Sequence, residues 1–208
     1  MDESLEKISE NSGITMQIIG LCGKLGSGKT TAQKYIIKQY NFIPVNLADA
    51  LKRCAEILER TSRQDLQTLG GGFRTLFGQD FWVRILEERI KKQSFGLPES
   101  MQRFVVGDVR YVNEAEWIQQ NGGFVIGIDT SFDLRYVRVY ERANIHDKQP
   151  TQEDFRLWDG ADTENHVNYI IYNMSRFRLG NNSTLEKLYS DIDFIFSLLH
   201  QNQETPSP

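Results

Sequence analysis

Gly23-Lys24-Leu25-Gly26-Ser27-Gly28-Lys29-Thr30 has the spacing G-x-x-x-x-G-K-[ST], and its flanks give the pattern its meaning. Before it, Met16-Gln17-Ile18-Ile19-Gly20-Leu21-Cys22 is the short apolar run of a buried strand; after it, Thr31 to Tyr40 reads as a helix with Tyr35, Ile36 and Ile37 as its apolar residues. A strand, a glycine-rich turn and a helix in that order turn backbone N–H groups toward a polyphosphate at a helix N-terminus, where unpaired donors and the dipole both favour anions. In such a loop the Lys29 ammonium reaches the β- and γ-phosphates and the Thr30 hydroxyl is a ligand for Mg²⁺. Gly23, Lys24, Leu25, Gly26, Ser27, Gly28, Lys29, Thr30 and Thr31 are therefore the expected ATP site, with Thr30 on the metal. The alternative, a turn that binds nothing, needs the spacing and both flanks to agree by chance.

The rest of the chain bounds what surrounds this loop. At 208 residues one α/β domain with a sizeable core is expected. The net charge of −4 argues against a general nucleic-acid binder, so an anionic ligand has to be held by a local basic site. The only cysteines are Cys22 and Cys54, with no signal-peptide pattern and no apolar run of about 18 residues, which points to a reducing, cytoplasmic setting and no membrane. Cys22 reads as a small hydrophobe beneath the loop. His146 and His166 have no metal-ligand spacing to each other or to a cysteine, so no zinc site is expected.

Strand-like and helix-like segments alternate from residue 16 onward, the signature of a parallel sheet covered by helices. Strands are expected at 16–22, 42–46, 103–107, 123–128 and 168–172. Helices are expected at 28–39, 48–60, 63–77 with a weak point at Gly70-Gly71-Gly72, 79–93, 113–121 and 183–200. The last opens on Ser183-Thr184-Leu185-Glu186, a capping box. Residues 1–15 and 201–208 are polar and read as flexible tails around a single domain, 16–200.

Four constellations beyond the loop carry chemistry. In Phe104-Val105-Val106-Gly107-Asp108-Val109-Arg110 an acid and a base follow a buried strand, at the sheet edge where ligands of open α/β sheets collect. Asp108 is placed to orient a metal-bound water and Arg110 to grip a phosphate, or the two form an ion pair capping the next helix. Asp49 and Lys52 open the helix after the second strand, on the other rim; Asp49 reads equally as an ordinary first-turn acid. The glycine cluster at 70–72 with Arg74, Phe81 and Trp82 reads as a mobile lobe, Arg74 clamping an anion and an aromatic ring stacking on a base, although either ring can equally be core. Arg135, Arg138 and Arg142 recur at spacings of three and four on one helix face, suited to a lid that neutralises transferring phosphates, with Arg138 nearest the reaction; a solvated face is the alternative.

With these residues in hand, the chain resembles the bacteriophage-type deoxynucleoside monophosphate kinases, a branch of the phosphate-loop kinases. Ala48-Asp49-Ala50-Leu51-Lys52, Arg74 through Val83, and Asp108-Val109-Arg110-Tyr111-Val112-Asn113-Glu114-Ala115 carry the resemblance together with Gly23–Thr30. It implies a three-layer P-loop kinase fold with a five-stranded parallel sheet, a monophosphate lobe over about 48–93 and a lid over about 129–167. By that resemblance Lys29 and Thr30 would serve ATP and Mg²⁺, Arg74 and Arg110 would hold the monophosphate, and Asp108 would sit near the reaction centre with Lys29. Asp49, Lys52, Phe81 and Trp82 join the expected acceptor site, and Arg138 the reaction, from the residue patterns above, the arginines of the lid resting on spacing and not on resemblance. Its partners would be small nucleotides, a homodimer being left open. The chain departs from the family pattern at Val112, where Pro is usual, at Gly70-Gly71-Gly72, where Gly-Thr-Glu is usual, and at 174–182, which looks like an insertion before the last helix and leaves the adenine pocket unassigned. Two alternatives stay open here: a kinase of another small acceptor such as dephospho-coenzyme A, and a slow NTP-hydrolysing switch, which the absence of an Asn-Lys-x-Asp signature disfavours.

Overall fold

Four of the five apolar runs become strands where the sequence places them. The computed structural model of the protein describes residues 16–143 and 149–204. Strands β1 (Gln17–Gly23), β2 (Ile43–Val45), β3 (Arg103–Val109), β4 (Phe124–Asp129) and β5 (Phe177–Gly180) form, among the described residues, one parallel sheet of order β2-β3-β1-β4-β5. Ile18, Cys22, Phe104, Val106 and Val125 point to one face; Ile19, Leu21, Val105, Ile126 and Ile128 point to the other. Both faces are buried, which is why these strands read as continuous apolar runs and not as alternating ones.

Helices α2 (Leu47–Ile57), α4 (Phe81–Ser94), α5 (Val112–Gln120) and α8 (Asp162–Tyr169) cover the first face, contributing Leu47, Leu86, Ile118 and Val167 to its core. Helices α1 (Lys29–Tyr40) and α9 (Leu185–Glu204) cover the second through Ile36, Leu188, Ile192 and Phe196. The result is the expected three-layer α/β fold. Helix α3 (Arg63–Phe77) lies with α2 and α4 between β2 and β3, while α6 (Phe132–Arg142), α7 (Gln152–Asp159) and α8 lie between β4 and β5. Because the chain leaves β1 toward β2 and returns past it from β3 to β4, the carboxyl ends of β1 and β3 flank a topological switch point.

The expected strand at 168–172 is instead the end of α8 running into a π-helical turn, Ile170–Met174. Val167, Ile170, Ile171 and Met174 recur at helical spacing and all pack into one core cluster, while the Ser175 N–H and hydroxyl both bond back to the Ile170 carbonyl. The true fifth strand, Phe177–Gly180, pairs with Ile126–Asp129 of β4. The stretch read as an insertion, 174–182, is thus the end of the π-turn, the last strand and the two residues after it, Asn181 following the strand directly.

Three smaller expectations change. Gly70-Gly71-Gly72 is no break, since α3 runs through it unbroken; it is held at its start by a capping box between Ser62 and Asp65. Helix α9 is capped by Thr184, whose hydroxyl accepts from the Lys187 N–H, so Ser183 stands one residue outside the helix. That helix also continues through Glu204, into the stretch read as a tail. Residues 1–15, 205–208 and 144–148, the last including His146, lie outside the described residues.

Candidate active site

The loop between β1 and α1 has its backbone carbonyls tied down from outside. The Ser27 carbonyl accepts from the Thr130 hydroxyl at 3.0 Å and from Asn181 Nδ2 at 2.8 Å, and the Leu25 carbonyl accepts from Arg135 at 3.4 Å. The Ser27 N–H bonds the Lys24 carbonyl at 3.1 Å, and with these carbonyls held the other loop N–H groups are available to an anion. Gly26 and Gly28 have φ of 81° and 101°, a left-handed backbone that L side chains rarely adopt. A Cβ on Gly26 would lie 2.6 Å from the Arg135 carbonyl, and one on Gly28 would overlap the Asn181 amide, so the motif's glycines also allow the loop to dock on α6 and on the end of β5.

Lys29 folds back and donates to the carbonyls of Gly23 and Lys24. Burial, seconded by the nearby Arg110 charge, pulls its ammonium down to about 8. Burial also pushes the Cys22 thiol up to about 12, in keeping with a packing role and not a nucleophilic one.

Beside the loop, at the switch point, lies a cavity of about 570 Å³. Lys29, Thr30, Asp49, Lys52, Arg74, Asp108 and Arg110 all line it, so the fold brings together most of the expected site. Among the described residues the Thr30 hydroxyl and the Lys52 ammonium have no hydrogen-bond partner, which leaves both free for a ligand.

Asp108 performs a task that its sequence context did not give. Its two carboxylate oxygens accept from the backbone N–H groups of Leu47 at 2.9 Å and Ala48 at 2.6 Å, capping α2 from a strand about sixty residues away in sequence. It forms neither the alternative ion pair with Arg110 nor a cap on α5. Burial raises its carboxyl above the usual range, against the two amide bonds that favour the charge.

Arg74 and Arg110 are each backed by a buried carboxylate. Glu114 accepts from Arg74 at 2.6 Å and from the Arg110 and Tyr111 amides at 2.8 and 3.1 Å. Arg74 also donates to the Gln79 carbonyl at 2.8 Å, and its guanidinium lies 3.6 Å from the centre of the Tyr111 ring. It is therefore tied on both sides within an unbroken helix, α3. Glu164 of α8 pairs with Arg110 at 2.9 Å, while its second oxygen is buried and has no partner among the described residues.

Asp49 is joined to Arg89 at 3.5 Å and to Asn46 at 3.3 Å, and Arg89 also bonds the Asn46 carbonyl. Gln33, buried on α1, bonds Asn46 at 2.8 Å and the Val105 carbonyl at 3.2 Å, linking the loop's helix to the far rim. None of Gln33, Asn46, Arg89, Glu114 or Glu164 was singled out as a site residue. Glu114 alone had a local signal, a carboxylate three residues after Tyr111 where a helix begins.

Two aromatic expectations and two of the arginines require correction. Phe81 does not line the cavity; it stacks with Phe73 and Phe77 at ring distances of 5.2 and 5.3 Å, satisfying its apolar surface there. Trp82 reaches the wall but belongs to the core, and its Nε1 donates to the Gly70 carbonyl at 3.1 Å. Arg135 is buried, its N–H groups engaged by the Thr130 and Leu25 carbonyls and both oxygens of Asp159, so it braces the loop and is not free to meet phosphates. Burial disfavours the Asp159 charge, but the Arg135 and Lys24 contacts outweigh it and leave that carboxyl below its ordinary range. Arg138 lies outside the main cavity, in a second one of about 340 Å³ on the loop's other flank, bounded by Thr31, Asn181, Ser183, Leu185 and Leu188. It donates to the Asn181 carbonyl at 3.1 Å, and its other terminal nitrogen is buried without a partner among the described residues. Arg142 touches both cavities from an exposed position.

No helix among the described residues is long and apolar enough to cross a membrane. Compared with solved structures, the chain is similar to a protein of Thermus thermophilus (17% identical, 89% of this chain and 98% of that one, TM-score 0.53). It is likewise similar to shikimate kinase from Acinetobacter baumannii in complex with shikimate (13% identical, 92% and 96%, TM-score 0.53). At such identities the likeness concerns the fold. No protein-family model matches the chain. Among curated proteins it is 30% identical over 184 residues to the "Putative deoxynucleotide monophosphate kinase" of Acanthamoeba polyphaga mimivirus, spanning 67% of this chain and 92% of that protein. The viral relative is matched almost from end to end, and this chain belongs to its family, the deoxynucleotide monophosphate kinases.

Proposed function

We propose that the protein transfers the γ-phosphoryl group of ATP to the phosphate of a deoxynucleoside 5'-monophosphate. An acceptor phosphate oxygen bonds to the γ-phosphorus, the bond from that phosphorus to the β-phosphate oxygen breaks, and the products are ADP and the deoxynucleoside diphosphate. The observation that carries this reading is a single cavity lined both by Lys29 and Thr30 of the phosphate loop and by Arg74 and Arg110.

The acceptor is already an anion at neutral pH, so no general base is needed and catalysis reduces to alignment and charge neutralisation. Glu114 and Glu164 fix the two guanidinium groups from behind, which leaves their remaining N–H donors oriented before the phosphate arrives. Lys29 exchanges the Gly23 and Lys24 carbonyls for the donor phosphates. Asp108 acts by positioning α2, whose first turn carries Asp49 to the rim. The second cavity suits the donor's base, with the Arg138 guanidinium beside Leu185 and Leu188. The free Thr30 hydroxyl fits a Mg²⁺ that arrives on the nucleotide phosphates, a hard cation content with one protein oxygen, and the ion would supply charge neutralisation.

The test is ADP release from ATP and Mg²⁺ against a panel of ribo- and deoxynucleoside monophosphates, with dephospho-coenzyme A included. Release that depends on a deoxynucleoside monophosphate is expected. Release with dephospho-coenzyme A alone, or equal release with no acceptor, would refute the proposal. Arg110→Ala should then lower kcat/KM for the acceptor by roughly 30- to 1000-fold, the worth of about 2–4 kcal/mol of charge-assisted contact, with ATP affinity unmoved.

A further inference from the structure

Gln67, Gly70, Gly71 and Arg74 stand at spacings of three, four and seven on α3, and all four line the main cavity. Three glycines inside one helix are unfavourable, each destabilising it relative to alanine. Packing gives no reason for two of them: a Cβ built on Gly71 or Gly72 would meet nothing within 4 Å, and one on Gly70 would touch only Leu51, at an ordinary 3.4 Å. Gly71 differs from Gly72 in facing the cavity, so the open space beside it is ligand space. Sequences that break a local rule without a packing gain do so chiefly at functional positions.

We propose that the Gly70–Gly71 backbone is a flat floor on which the base of the acceptor lies, and that Gln67 reads the edge of that base. The proposal rests on the function argued above and adds how the acceptor is recognised. Arg74 and Gln67 are seven residues apart, about 10 Å along the helix at 1.5 Å per residue, comparable to an extended nucleoside monophosphate from phosphate to base edge. With Arg74 at the phosphate, the base falls over Gly71. Leu51 and Leu66 close the sides with apolar surface, which favours a base over a charged group there. Gln67 is exposed toward the cavity and has no hydrogen bond among the described residues, so its amide can both donate to and accept from a base edge.

Gly71→Ala, Gly72→Ala and Gln67→Ala separate the roles. Both glycine variants should melt about 2–4 °C higher than wild type, because alanine favours the helix and neither Cβ meets an obstacle. Only Gly71→Ala should raise the acceptor KM, by roughly tenfold or more and further for purine than for pyrimidine monophosphates, with the ATP KM unchanged. Gln67→Ala should compress the kcat/KM ratio between the best and worst base by roughly tenfold. An acceptor KM untouched by Gly71→Ala overturns the floor, and so does an equal rise in both glycine variants or a lower melting temperature for Gly71→Ala. An unchanged base ratio in Gln67→Ala overturns the edge reading. If wild type uses no monophosphate at all, the function argued above fails and this inference fails with it; normal wild-type turnover with a silent Gly71→Ala defeats the inference alone.

Discussion

Removing the Glu114 carboxylate by Glu114→Ala should destabilise the protein while making its cavity greedier for phosphate. Glu114 is 2% exposed and Arg74 is 6% exposed, so the substitution leaves a guanidinium in the interior without its anion, and the Arg110 and Tyr111 amides without their acceptor. Breaking a buried pair from one side costs about 3–5 kcal/mol, most of it the burden of the charge left behind. For a domain of this size that is a fall of about 6–20 °C in melting temperature, within what an ordinary domain survives at 25 °C. Inorganic phosphate entering the cavity offers Arg74 a new anion and no longer faces Glu114. At equal concentration, phosphate should therefore raise the melting temperature of the variant by more than that of wild type, while turnover falls because the guanidinium has lost its support. Scanning calorimetry across a phosphate titration measures both effects. A variant within about 1 kcal/mol of wild type, or one with no larger phosphate shift, would refute the reasoning that Glu114 exists to hold Arg74 for an incoming anion.

Three other outcomes are expected. Lys29 titrates near 8 in the folded chain against 10.5 ordinarily, so the unfolded state binds more protons between those values and stability should rise with pH across that window. Nucleotide phosphates favour the charged form, so ATP binding near pH 8.5 should take up a proton, read as a dependence of the calorimetric heat on buffer ionisation; Lys29→Met should abolish it, and an uptake of the same size in that variant would remove Lys29 from the phosphates. Asn181→Ala removes one of two donors holding the Ser27 carbonyl, at about 0.5–1.5 kcal/mol, and should weaken ATP roughly 2- to 10-fold with the acceptor unaffected; the reverse pattern would exchange the two sides of the cleft.

What was legible in the sequence was local. The phosphate loop, four strands and most helices, to within a few residues at their ends, follow from motif and apolar runs that act locally, whereas α7 and α8 were not read and the one cap that was read fell a residue early. The fifth strand was misplaced because Asn168–Tyr172 holds more apolar surface than the four-residue edge strand Phe177–Gly180; only the wider spacing of Val167, Ile170, Ile171 and Met174 reveals the helix, and π-turn geometry extends it past where an α-helix would stop. The arginines failed for a related reason. Spacing on α6 shows that Arg135, Arg138 and Arg142 share a face, but their partners Asp159, Asn181 and the Leu25 carbonyl come from distant parts of the chain, and those partners decide which arginine is bound up and which is free. Arg74 and Arg110 line the cavity; of the carboxylates that pair with them, Glu114 left a local trace as an acid three residues into a helix start, whereas Glu164, 54 residues from Arg110, could be found only from the fold.

The fixing of the loop carbonyls sets an order of assembly in time. Residues 23–30 are made early, yet Ser27 is clasped by Thr130 and Asn181, 103 and 154 residues further along the chain, and Lys24 is joined to Asp159, 135 residues further along. Bonds across such separations form only after the intervening chain has closed its loops and the parallel sheet has paired, the slow part of folding. On a ribosome adding about 5–20 residues per second, the nascent loop waits roughly 8–30 s for Asn181 to be made. Nucleotide affinity should then appear with the last folding phase and not the first, so that a fluorescent ATP analogue present during refolding becomes a clock for the docking of the fifth strand.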